Sequence, residues 1–161
     1  MREGTENMRQ SYIELRYEVI YYEIGELEVR ASHGGFAGVG RAHFSSEKLE
    51  EFSQALQSLP IAATPRVEIR GGYGSPGAPM KDEEVFLALA VYRTNSQGHL
   101  AIQVRVCDGN GWPPESCCRA AFEVPSTYES VAQLGRGLAA LLRGTCPMVR
   151  VETDPDRLNA R

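Results

Sequence analysis

Ser32 to Arg41 reads SHGGFAGVGR, and its glycines, Gly34, Gly35, Gly38 and Gly40, are the residues whose spacing first suggests phosphate chemistry. A phosphate loop needs a helix that begins directly at its glycines, because the helix N-terminal N–H groups hold the anion. Here Arg41 to Phe44 intervene, and the helical pattern starts only near Ser46. The spacing is neither G-x-G-x-x-G nor G-x-x-x-x-G-K-[ST]. The stretch therefore reads as a hairpin. Gly34 or Gly35 supplies a positive φ in the turn, and Gly38 and Gly40 let a strand bend or receive a packed side chain.

The other groups capable of chemistry are His33, His43, His99, Cys107, Cys117, Cys118 and Cys146. No C-x-x-C pair, H-E-x-x-H helix or nucleophile elbow occurs among them. Cys117 and Cys118 are neighbours, and neighbours on a strand point to opposite faces, so they do not chelate one ion in regular geometry. The thiols read as small buried apolar groups. No catalytic residue, no metal ligand and no cofactor is assigned. A cysteine–histidine site stays open only as an alternative.

Binding residues are easier to name. Two loops, 71–82 and 108–116, are rich in glycine and proline and join successive strands of one meander. Alternate connections of an up-and-down sheet fall at the same end. Tyr73, Asp108 and Trp112 are thereby expected at one rim. Trp112 is held between Gly111 and the pair Pro113–Pro114, and reads either as a recognition anchor or as a plug over the core edge. Tyr12, Tyr17, Tyr21 and Tyr22 crowd one strand, as core packing or as an interface.

These residues must be carried by a regular frame. Ile13, Leu15, Tyr17, Val19 and Tyr21 alternate with polar residues, the period of a half-buried strand. After a break placed near Gly25, Leu27, Val29 and Ala31 continue the period, and a third strand runs through Val39 to Phe44. Leu49, Phe52, Leu56 and Leu59 fall on one helical face, capped by Ser45 or Ser46 and stopped by Pro60. Four further strands follow, at Val67–Ile69, VFLALAVYRT, HLAIQVRVCDG and CCRAAFEV, with NSQG as a hairpin turn. Ser126 and Glu129 fit a capping box for a last helix lined by Val131, Leu134, Leu138 and Leu141, with Gly144 as its stop. The segment MVRVE offers one more short strand.

The frame is read as α+β: a curved, mostly antiparallel sheet of about seven strands with two amphipathic helices packed on one face. No internal repeat is visible. The expected organisation is a flexible N-terminus over 1–10, one domain over 11–150, and a flexible tail over 151–161. The 161 residues are 42% apolar and 24% charged, ordinary for a globular chain. A net charge of −4 argues against nucleic acid, and no apolar run has the length of a membrane span. With no signal-peptide pattern at the start, the reading is a cytoplasmic protein.

GGFAG, a short strand, and then a helix of pattern LEEFSQALQSL resemble a group of small bacterial α+β proteins that includes the WapI-like immunity proteins of polymorphic toxin systems. The strand pair at GHLAIQV and the strand ending FEV before the final helix extend the resemblance over roughly Glu26 to Leu142. The long loop GGYGSPGAPM and the tyrosine-rich first strand depart from it. The resemblance implies a small binding protein whose partner is a toxin domain that it masks. The alternative is a small enzyme with a cysteine or histidine site. VFLALAVY is apolar on both faces, and helices cover only one face of a sheet, so the face of Ala88 and Ala90 is expected to be closed by sheet curvature, by the segment MVRVE, or by a second molecule in a homodimer. Light scattering at low micromolar concentration checks it: a dimer scatters at twice the chain mass of 17.7 kDa.

Overall fold

The computed structural model describes residues 11–58, 66–73, 78–95, 97, 99–108 and 118–153. The chain forms β1 (Ser11–Tyr21), β2 (Ile24–His33), β3 (Phe36–Ser45), α1 (Ser46–Gln57), β4 (Val67–Gly72), β5 (Val85–Arg93), β6 (Leu100–Asp108), β7 (Cys118–Ser126), α2 (Tyr128–Leu142) and β8 (Val149–Thr153). The α+β class is as expected. The single curved sheet is not: the strands divide into two antiparallel sheets of four, in the orders β3-β2-β1-β8 and β4-β5-β6-β7. MVRVE supplies the eighth strand. β8 pairs with β1 and runs to Thr153, three residues beyond the expected domain end at 150.

The element string repeats. A three-strand meander, a helix and a strand occur first as β1-β2-β3-α1-β4 and again as β5-β6-β7-α2-β8. Each half gives its last strand to the other: β4 pairs with β5, and β8 pairs with β1. The helix caps Ser45 and Thr127 lie 82 positions apart, and the same interval relates the buried Leu49, Phe52, Ser53 and Leu56 to Val131, Leu134, Gly135 and Leu138. Equivalent ladder positions match as well. Leu15 faces Val29 and Val149, while Leu89 faces Val104 and Ile69. The repeat is invisible in the residues because only apolar character and period are kept, and both are common to all strands.

The helices do not share one face of one sheet. They pack on each other, and each is the crossover between sheets. α1 leads from β3 to β4 and α2 from β7 to β8. Their crossing is close because Gly135 has no side chain. A Cβ there would stand 2.9 Å from Leu56 Cβ and from the Ser53 carbonyl. Ser53, itself buried, donates its hydroxyl to the Gly135 carbonyl at 2.7 Å. The apolar stripes behave as read, with Leu49, Phe52, Leu56, Val131, Leu134 and Leu138 all in one core shared by both sheets.

Two local readings are corrected. The α2 cap is Thr127, which accepts from Ser130 N at 3.1 Å, and no capping box forms. Ser126 is still the last residue of β7, buried, with its hydroxyl on the Val124 carbonyl, and Glu129 turns to Arg136. The break in the first segment falls at Tyr22 and Glu23, not at Gly25. Gly25 lies inside β2 because the Tyr17 ring crosses it and leaves no room for a Cβ. It is a packing glycine. Among the described residues the Tyr17 hydroxyl is buried without a partner, and burial pushes its pKa up.

β5 is internal and apolar on both faces, as read. Its outer alanines are covered by the chain itself. Glu68 and Gln103 flank Ala90, and Arg70 and Arg105 flank Ala88. These long side chains lie toward one another: Arg66 and Arg70 on Glu68, Arg66 on Gln103, and Arg70 and Arg105 on Asp82 at 3.6 and 3.3 Å. Exposed ion pairs contribute only about 0.2–1 kcal/mol each. Their effect here is to hold aliphatic stems across the alanines, which are 3% and 2% exposed.

Gly135→Ala tests the helix crossing. Alanine is favoured over glycine in a helix by up to about 1 kcal/mol. The clash with Leu56 and Ser53 outweighs this, since overpacking costs about 1–3 kcal/mol. Urea denaturation is expected to show a lower midpoint for this variant, and a midpoint equal to or above wild type would refute the close approach.

Candidate functional site

β3 departs from the twofold pattern. Where β7 carries Ala120 and Phe122, the equivalent positions of β3, 82 residues earlier, are Gly38 and Gly40. A Cβ on Gly38 would meet Val106 and Ala120. One on Gly40 would meet Val106 at 2.8 Å and the Phe86 carbonyl at 3.0 Å. Bare backbone here lets β3 lie directly across the β5–β6 end of the second sheet. Gly71 does the same under Ala42 and Phe44. Gly38 and Gly40 are the packing glycines that the sequence allowed for, Gly71 was read into a loop and lies in β4, and the turn glycine is Gly34, at φ 59°.

An open groove of about 1170 Å³ runs along this junction. One wall is the edge of β3. The floor includes Val106, Phe86 and the glycines, and the far wall holds Tyr73, Cys107, Cys118 and Arg119. β3 is the last strand of its sheet, so one row of its backbone groups has no strand to meet. The row is identifiable. Ser46 N donates to the Glu23 carbonyl at 2.7 Å, which continues the hydrogen-bonded register of β2 with the even-numbered residues of β3. Ala37, Val39, Arg41 and His43 therefore turn their N–H and C=O groups to the open edge. All four line the groove.

The charges in the groove differ in their compensation. Arg41 is fixed by Glu28 at 2.6 Å and stands 4.0 Å from Glu26. His43 lies 3.6 Å from the same Glu26. Arg119 donates to the carbonyls of Glu83 and Val85, at 2.9 and 3.4 Å, and among the described residues has no carboxylate.

Of the rim expected from sequence, the described residues include Tyr73 and the Asp108 backbone. Tyr73 follows β4 at the groove, 77% exposed, with its ring 6.4 Å from that of Phe86. Asp108 closes β6, paired with Cys118 across the ladder. The ends of β4, β6 and β7 do come to one rim. The Asp108 side chain and Trp112 lie outside the described residues, as does Cys117. Sequence reading missed Arg119, Val39 and the edge of β3. The glycine pair Gly38 and Gly40 was their only signal, and a glycine does not say which strand it lies against.

Among the described residues, no group of three His, Cys, Asp or Glu side chains is arranged to hold a metal ion. Two of the cysteines, Cys107 and Cys118, line the groove with one histidine, His43. Among the described residues no helix is long and apolar enough to cross a membrane. No family model matches the chain, and no curated protein matches it.

Glu28 is the hinge of the charge pattern along β3. Burial opposes its ionisation, but hydrogen bonds from Arg30 at 2.9 Å and Arg41 at 2.6 Å prevail, and the carboxyl sits below its ordinary value of 4.5. A depressed folded-state pKa gives stability that is present above the unfolded value and is lost as pH falls through the folded one. Wild type is therefore expected to lose stability below about pH 4.5 more steeply than Glu28→Gln, as read by urea midpoints between pH 3 and 6. Parallel curves would remove Glu28 from the acid response.

Proposed function

We propose that the chain is a small protein-binding module that takes an extended segment of a protein partner against the open edge of β3. The observation that carries this reading is the unpaired backbone row of Ala37 to His43, set beside Val106 and Phe86 and opposite Arg119, which has no carboxylate among the described residues. A strand added there gains main-chain hydrogen bonds, and alternate side chains reach the floor of the groove. An acidic side chain of the partner matches Arg119. The resemblance to immunity proteins supports the class of partner, a toxin domain that the chain masks. A binding role needs no catalytic set, and the groove is open rather than enclosed.

One observation favours a second reading, an enzyme: Cys107, Cys118 and His43 line the same groove. The two readings separate with one substitution. Val39 has its N–H at the open edge, so Val39→Pro removes a donor offered to the partner while sparing the β2–β3 ladder. Proline is tolerated at such edge positions. Titration calorimetry against the polypeptide encoded beside this chain is expected to show binding that weakens about tenfold or more in Val39→Pro, an energy of about 1.4 kcal/mol. Unchanged affinity refutes strand addition. Turnover of a substrate that is lost in Cys118→Ser or His43→Gln and kept in Val39→Pro replaces the binding reading with the enzymatic one.

A further inference from the structure

The turn between β1 and β2 gathers most of the exposed apolar surface. Among the described residues nine large apolar side chains are exposed, and five of them, Val19, Ile20, Tyr21, Tyr22 and Ile24, fall within six positions. Burial along β1 ends early: Ile13 and Leu15 are in the core, but from Arg16 onward no residue is buried. The hairpin thus runs past the core and presents a bare apolar tip.

Two features of the tip work against the fold. Tyr22 sits at φ 50°, a left-handed position that two-residue hairpin turns reserve for Gly, Asn or Asp. Its ring gains little in return: it is 81% exposed and meets the Tyr21 ring edge-on, with centroids 4.4 Å apart. Glu18 stands directly opposite Glu26 in the β1–β2 register, and like charges so placed repel. Arg41 and His43 attend Glu26. Glu18 and Glu23 have no cation among the described residues. Apolar side chains without cover, a strained tyrosine and two uncompensated carboxylates are together costly within the chain alone.

We propose that this tip is a docking finger for a protein partner that offers an apolar recess rimmed by lysine or arginine. Ile20, Tyr21 and Tyr22 fill the recess, and Glu18 and Glu23 meet the cations at its rim. A strained, exposed tyrosine is retained where its contacts lie on another molecule. A second copy of this chain is the wrong occupant, because paired tips bring Glu18 and Glu23 against their own equivalents. An anionic membrane surface repels the same carboxylates. The inference rests on the chain being a binding protein, but not on the groove of β3.

The probe is a fluorescent peptide of alternating leucine and lysine, with a leucine–glutamate peptide as control, titrated by anisotropy at low and high salt. Wild type is expected to bind the lysine peptide saturably, more weakly at high salt, and not to bind the glutamate peptide. The pair Ile20→Ser with Tyr22→Asn, and the pair Glu18→Gln with Glu23→Gln, are each expected to weaken binding by about tenfold or more. Val39→Pro is expected to leave it unchanged. Asparagine accepts the left-handed backbone, so the first pair keeps or raises the melting temperature, and its loss of binding is not unfolding. Equal affinity in the tip variants overturns the proposal, as does equal binding of the glutamate peptide. Tip-dependent dimerisation in sedimentation, or tip-dependent partition into phosphatidylcholine vesicles with no peptide binding, also overturns it in favour of those occupants. Binding lost in Val39→Pro alone returns the peptide to the groove and leaves the tip without a role.

Discussion

The two helices meet where Ser53 reaches the Gly135 carbonyl, and the rest of the fold is organised around that contact. The residues are equivalents, 82 positions apart in a repeated string, so the pseudo-twofold of the molecule passes between them. Each helix carries the chain from one sheet to the other. If the helices stood further apart, β4 and β8 would not reach the sheets they complete. The closeness depends on atoms that are absent, a Cβ on Gly135, and on a hydroxyl that satisfies a buried polar group at the crossing. A buried hydroxyl without a partner costs about 1–3 kcal/mol, which is why a small polar residue is tolerated there only with its acceptor in place.

Reciprocal exchange of the last strands has a second consequence. Neither half closes its own sheet, so the halves share one core. The outer faces remain wet, and both are dressed alike. Glu28 with Arg30 and Arg41, and Glu14 with Arg16 and Arg150, lie over the first sheet. Glu68 with Arg66 and Arg70 lies over the second. On the second sheet this dressing shades the outer alanines of β5, Ala88 and Ala90, between long side chains.

Function is read where the symmetry fails. Gly38 and Gly40 stand where β7 has Ala120 and Phe122, and that difference presses β3 onto the second sheet and leaves its edge along a groove. The first hairpin departs in the same way. Its counterpart turn between β5 and β6 is polar, with Asn95 accepting from Gln97 N and His99 N, while the β1–β2 turn is apolar and strained. Both departures lie on one half of the molecule, and both touch Glu26. That residue lines the groove with His43 and faces Glu18 below the tip.

The sequence by itself determined the elements and the faces they bury, because period is a local property. Leu100, Ile102, Val104 and Val106 point inward, and the stripes of both helices are in the core, as their spacing required. It also determined the turn at Gly34, since only certain residues accept positive φ. It gave the hairpins at Gly34 and at NSQG but not how the strands assemble into two sheets, because β1 finds β8 from the far end of the chain and apolar alternation is the same in every strand. Nor did it give the exact break in the first segment: it was read near Gly25, and Gly25 itself lies within β2 under the Tyr17 ring. The real turn, at Tyr22, carries no local signal, since a tyrosine at positive φ is held by the ladder on either side. Tyr73 was legible as an exposed aromatic on a loop. Arg119 and the edge of β3 became visible only in three dimensions, because a groove is a relation between two sheets and the chain states each sheet separately.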